Sequence, residues 1–162
     1  MKVIFLDIDG VLNSRAYDRK RNWNEQTDID ETRLPLVKKI VDATGAKIVL
    51  SSTWRQHWDK DKNRCDEDGL YINETFARFG LSVFDKTPDL GLTAVRKDEV
   101  SIWLKETDED IEAFVIIDDY RYGWGELSEN FVKTEPNFRL GLEEEHVQKA
   151  IEILLPDKNR DI

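Results

Sequence analysis

Three short stretches of this chain are apolar almost throughout, without the alternation that a strand with one wet face would show. Lys2–Leu6 (KVIFL), Lys47–Leu50 (KIVL) and residues 114–117 (FVII) are rich in β-branched and aromatic side chains, and each runs directly into polar residues. Such runs belong to strands covered on both faces. Between the first two lies DETRLPLVKKIVDATG, where Leu34, Val37, Ile40 and Val41 recur at helical spacing and Gly45 supplies a stop. Further helices are expected at 73–79, ending at Gly80, at 98–105 with Val100, Trp103 and Leu104 inward, and at 143–155 before Pro156. Weaker strands are expected at 81–84 and Phe131–Lys133. Strands alternating with helix-length crossovers predict an α/β three-layer sandwich around a mostly parallel, Rossmann-like sheet with right-handed connections.

In open parallel sheets, functional groups gather beyond the carboxyl ends of the strands. Asp7 and Asp9 follow the first strand, Ser51 and Ser52 the second, and Asp118 and Asp119 the third. If these strands are neighbours, their carboxylates repel one another unless a cation sits among them, and oxygen donors with waters suit Mg²⁺.

Composition narrows the class. With 162 residues the chain has the size of one domain, 1–162, able to bury a core. Acids outnumber bases 34 to 24, so a non-specific coat for nucleic acid or anionic lipid is excluded. One cysteine, Cys65, forms no internal disulfide, and neither a leader nor a long apolar span is evident. A soluble, reducing, cytoplasmic location is expected, without a membrane partner.

The rim resembles the haloacid dehalogenase (HAD) superfamily of phosphotransferases. Its signature D-x-D-G-[TV]-[LV] matches DIDGVL from Asp7; an apolar strand ending in Ser or Thr matches KIVLSS, with the hydroxyl placed at Ser52 and Ser51 as the alternative. A Lys or Arg opening a helix matches VRKDEV, where Lys97 is preferred to Arg96, and a strand ending in paired acids matches FVIIDD. By this resemblance Asp7 is the nucleophile of an aspartyl-phosphate and Asp9 the acid and then the base. Lys97 and Ser52 would hold phosphoryl oxygens, and Gly10 would let the chain turn away. Asp118 and Asp119, with Asp7 and the backbone carbonyl of Asp9, would hold Mg²⁺. An acid at the Asp9 position resembles the phosphatase branch. Receiver domains also carry acid pairs, but they need an acceptor Asp where this second strand ends in Ser.

The family closes its site with a cap, for which this chain has little room: residues 13–29 form a short flap, and 56–95 must supply a helix and a strand. The flap, NSRAYDRKRNWNEQ, sets Arg15, Arg19, Lys20 and Arg21 beside Tyr17 and Trp23. Cations interleaved with aromatics suit a phosphodiester backbone and its bases; the alternative is a solvated loop. SSTWR, WLKE and the other motifs also resemble small phosphatase domains of nucleic-acid repair proteins, including polynucleotide kinase-phosphatases that clear 3' ends. No kinase P-loop is present, so a kinase or ligase partner would be a separate protein. The expected activity is removal of a 3'-phosphate from a DNA or RNA end. The alternatives are a nucleotide or other small-molecule phosphatase and a non-catalytic binding module.

Other features read more plainly. DKDKNRCDEDG imitates a calcium loop but has Arg64 where Gly is needed and Leu70 where a bidentate acid is needed, so a solvated loop is expected. Arg55 either reaches a substrate phosphate or pairs with a surface acid. His57 and His146 are expected to be exposed.

Overall fold

The computed structural model describes residues 1–20, 28–121 and 123–156. Strands β1 (Lys2–Leu6), β2 (Lys47–Leu50), β3 (Val83–Lys86), β4 (Ala113–Asp118) and β5 (Phe131–Lys133) form one parallel sheet in the order β3-β2-β1-β4-β5. The central strand explains the unbroken apolar runs. Val3 and Phe5 pack with Val49 and Ile116 on one side, under Val100 and Trp103 of helix α4 (Arg96–Glu106). Ile4 and Leu6 pack with Ile48, Leu50, Val115 and Ile117 on the other. That second face is covered by α2 (Leu34–Thr44), α3 (Glu67–Ala77) and α5 (Glu144–Leu154). The result is an α/β, Rossmann-like sandwich with helices on both faces.

Register does the work of positioning. Leu6 pairs with Leu50 on one side and Ile117 on the other. The next residues, Asp7, Ser51 and Asp118, therefore stand level with one another at the carboxyl ends of their strands. Two backbone bonds continue the pairing past the strands, Asp7 N–H to Ile117 O at 3.1 Å and Ser51 N–H to Leu6 O at 2.9 Å. On the α4 face, Phe5 meets Trp103 edge to face with ring centroids 5.3 Å apart, which ties the helix bearing Arg96 to the central strand.

Three local expectations are corrected. Helix α3 starts at Glu67 rather than at 73, because Asp66 accepts from the N–H groups of Asp68 and Gly69 and caps it. Gly69 sits within its first turn because a Cβ there would lie 2.0 Å from the His57 carbonyl oxygen. Strand β3 runs to Lys86, two residues beyond the expected end, while Leu81 turns inward and donates its N–H to Phe76 O. His146 is buried, not exposed: its Nδ1 accepts from the Glu143 N–H at 2.9 Å, closing a capping box that starts α5. Burial lowers its pKa. After Gly10 the chain passes into α1 (Arg15–Lys20), begun by Ser14 Oγ accepting from the Tyr17 N–H. Arg21 and Trp23 of the expected flap lie outside the described residues.

Candidate active site

Asp7, 5 % exposed, stands at the end of the central strand with Asp118, 1 % exposed, beside it. Ligand oxygens of Asp7, Asp118 and Asp119 lie within 4.8 Å of one another. Burial, then the charge of Asp118, pushes the Asp7 pKa well above the ordinary carboxylate value. Burial likewise raises Asp118 to about 6, and Asp119 is raised as well. Arg96 offsets part of this crowding. Arg96 Nη1 lies 2.9 Å from Asp118 Oδ2, 3.1 Å from Asp7 Oδ1 and 2.7 Å from the Ser51 carbonyl. Although burial opposes its charge, Asp7 and Asp118 hold the Arg96 pKa above its usual value.

Lys97, preferred from the sequence, is not brought to these carboxylates. Adjacent helical residues project about 100° apart, so only one of the pair can face the rim. Lys97 instead turns to Glu126 Oε2, 2.8 Å away. The serines are also distinguished. Ser52 Oγ accepts from the Trp54 N–H and caps a 3₁₀ turn, Thr53–Gln56. Ser51 Oγ is buried and has no hydrogen-bond partner among the described residues. A buried hydroxyl without a partner is costly unless a ligand completes it.

Gly10 has φ +82°, and an added Cβ would lie 2.3 Å from Asp119 Oδ2. Its missing side chain is what lets the late acid approach the first loop. Asp9 is exposed and held from both sides: Asn13 Nδ2 donates to Oδ1 at 2.9 Å, and the Trp54 indole Nε1–H donates to Oδ2 at 3.1 Å. The sequence placed Trp54 near the serines but gave no partner for it, and Asn13 was missed. The available signal was an amide four residues after Asp9 in a turn-forming stretch.

Arg55 pairs with two acids: with Asp89 at the surface, whose Oδ1 lies 3.5 Å from its Nη2, and with a second in the interior. Arg55 is buried, with Nη2 2.7 Å from Glu99 Oε1, and Glu99 is itself buried one helical turn after Arg96. This pair ties the turn after Ser52 to the helix that carries Arg96. On α1, Arg19 is exposed and its Nη2 donates to the Asn137 carbonyl.

A family model, the HAD domain in Swiss Army Knife RNA repair proteins, matches residues 3–147. This chain belongs to that family. No curated protein and no solved structure gives a match. As a HAD domain it belongs to a hydrolase class of phosphatase type. HAD domains generally use Mg²⁺, and three crowded carboxylates whose pKa values burial raises are a fitting donor set for a hard divalent ion. The HAD fold also accounts for the parallel sheet and its rim of strand ends. Among the described residues no helix is long and apolar enough to cross a membrane.

Proposed function

We propose that this HAD domain is a Mg²⁺-dependent phosphomonoesterase that works through an aspartyl-phosphate on Asp7 and removes the 3'-phosphate of a nucleic-acid end. The observation that carries the reading is the juxtaposition at one strand end of the Asp7 carboxylate, the Arg96 guanidinium on its Oδ1 and the unpartnered Ser51 hydroxyl level with it. Such a pocket offers a nucleophile, a cation and a donor to a tetrahedral dianion.

In the first half-reaction an Asp7 oxygen attacks phosphorus while the bond from phosphorus to the ester oxygen breaks, and Asp9 delivers a proton to that leaving oxygen. In the second, Asp9 takes a proton from water as the water oxygen attacks the phosphoryl group, releasing phosphate and regenerating the Asp7 carboxylate. Arg96 and Ser51 hold the phosphoryl oxygens. One residue further on in each case, Ser52 caps its 3₁₀ turn and Lys97 pairs with Glu126. Trp54 and Asn13 keep the Asp9 carboxylate on the open side of the rim, where a leaving group would stand. Asp7, Asp118, Asp119 and the backbone carbonyl of Asp9 would hold Mg²⁺. Bound there, it supplies the charge neutralisation that lets a carboxylate approach a phosphate.

The substrate reading is supported by the RNA repair proteins that give the family its description and by Arg15, Arg19 and Lys20, all exposed on α1 directly after the catalytic loop. It places the domain in a reducing cytoplasm alongside a separate kinase or ligase. The test compares an aryl phosphate with and without Mg²⁺, then 3'-phosphorylated RNA and DNA oligonucleotides against mononucleotides and sugar phosphates. Metal-dependent turnover with preference for oligonucleotide 3' ends is expected. Preference for mononucleotides or sugar phosphates would move the substrate to small molecules, and no turnover with any divalent ion would leave a binding module.

A further inference from the structure

Beyond β5 the chain leaves the catalytic rim as a narrow loop and returns to it. At its root Thr134 donates its N–H to Asp118 O at 3.1 Å and its hydroxyl to Gly10 O at 2.8 Å. Glu135 and Gly141 bridge antiparallel, and Gly141 packs so tightly on the Gly10–Val11 backbone that a Cβ would lie 2.6 Å from Val11 O. Between those anchors the turn carries Phe138, 89 % exposed. Helix α1 is fastened along the same turn: the Arg15 N–H donates to Pro136 O at 3.0 Å, and Arg19 Nη2 donates to Asn137 O. An exposed phenyl ring and an exposed guanidinium, delivered by distant segments, therefore share one tip.

That tip is rigidly related to the reacting groups. Phe138 is three residues from Gly141, at most about 11 Å of chain, and Gly141 packs on the Gly10–Val11 backbone that follows Asp9. A protein partner is the poorer fit, because a stable interface buries about 800 Å² on each side and one aromatic ring contributes roughly 150–250 Å². A nucleobase matches a single ring, and its neighbouring phosphate matches the adjoining cation.

We infer that Phe138 and Arg19 form a stacking subsite for a nucleobase of the single-stranded segment behind the reacting end. The ring supplies a sequence-tolerant face, and Arg19, with Arg15 one helical turn earlier, meets the phosphate beside that base. The inference rests on the reading of this domain as an end-directed phosphatase and deepens it by naming where the strand lies.

Fluorescence anisotropy with a 5'-labelled single-stranded RNA dodecamer ending in a 3'-hydroxyl reads the subsite without turnover. Phe138→Ala should weaken binding by roughly tenfold or more, as expected for loss of a base–aromatic stack, with the salt dependence unchanged. Phe138→Trp should restore affinity. Arg19→Ala should weaken binding and flatten the salt dependence. In parallel, kcat/KM for the 3'-phosphorylated dodecamer divided by that for an aryl phosphate should fall in Phe138→Ala and recover in Phe138→Trp. If Phe138→Ala binds like wild type while the enzyme still clears 3'-phosphates, the subsite is wrong and the phosphatase reading stands. If the 3'-hydroxyl dodecamer binds through Phe138 but its 3'-phosphorylated form is never dephosphorylated, the subsite stands and the substrate reading fails. A wild type that binds no dodecamer overturns the subsite outright.

Discussion

Asp7, Asp118 and Asp119 at the strand ends, and His57, Asp66 and Asp68 at the start of α3, are both sets of three groups whose ligand atoms lie within 4.8 Å of one another. The first set is pressed into the sheet edge, its acids raised in pKa by burial, with an unpartnered Ser51 hydroxyl alongside. The second lies at the surface and already has its partners. Asp66 accepts from His57 Nδ1 at 2.6 Å and from two backbone N–H groups of the helix start, and the His57 hydrogen bond, first among these, lowers its pKa. Clustering alone therefore does not mark a site. What separates a reactive cluster from a helix cap is whether the fold leaves charge and hydrogen-bonding capacity unsatisfied.

The largest effect that could break this contrast is on turnover. Asp7→Asn should reduce aryl phosphate hydrolysis by at least about a thousandfold, whereas Asp66→Ala should leave it within twofold; equal losses in steady-state assays would erase the distinction. Next comes the cation. Arg96→Ala should cost at least about tenfold more in kcat/KM than Lys97→Ala, on the scale of losing a donor to developing charge. The reverse ranking would return the role to Lys97.

That second comparison marks the limit of what the sequence disclosed. The apolar runs and their polar ends located the sheet and both acid pairs, because a buried strand constrains every position along it. Arg96 against Lys97 and Ser51 against Ser52 are choices between neighbours. The structure brings Arg96 rather than Lys97 to the carboxylates and leaves the Ser51 rather than the Ser52 hydroxyl without a partner among the described residues, differences that depend on how the helix and the turn sit and not on residue type. The buried Arg55–Glu99 pair joins residues 44 apart and left no local trace. His146 and Gly69 were misread for a similar reason, since a capping histidine and a glycine at a close backbone crossing look, in sequence, like surface and loop.

A third expectation concerns pH and has opposite signs in the two clusters. In the metal-free protein Asp118 has a folded pKa raised from 3.8 to about 6, so its contribution to stability is fully present below 3.8 and lost as pH rises through about 6. Asp66, with a lowered pKa, contributes above 3.8 and loses that contribution as pH falls. Denaturant titrations of Asp118→Asn and Asp66→Asn across this range should each remove one limb. Saturating Mg²⁺ should offset the Asp118 limb only. The smallest effect is the cap itself: Asp66→Ala should destabilise the fold slightly, read as a small downward shift in denaturation midpoint.

The most direct test is a crystal structure of the protein grown with Mg²⁺ and beryllium fluoride, a mimic of the phosphorylated carboxylate. The account predicts a fluoroberyllate on an Asp7 oxygen, contacted by Arg96 and the Ser51 hydroxyl, with the ion held between Asp7 and the late acid pair. A metal seated on His57, Asp66 and Asp68, or Asp7 left unmodified with Mg²⁺ bound elsewhere, would contradict it.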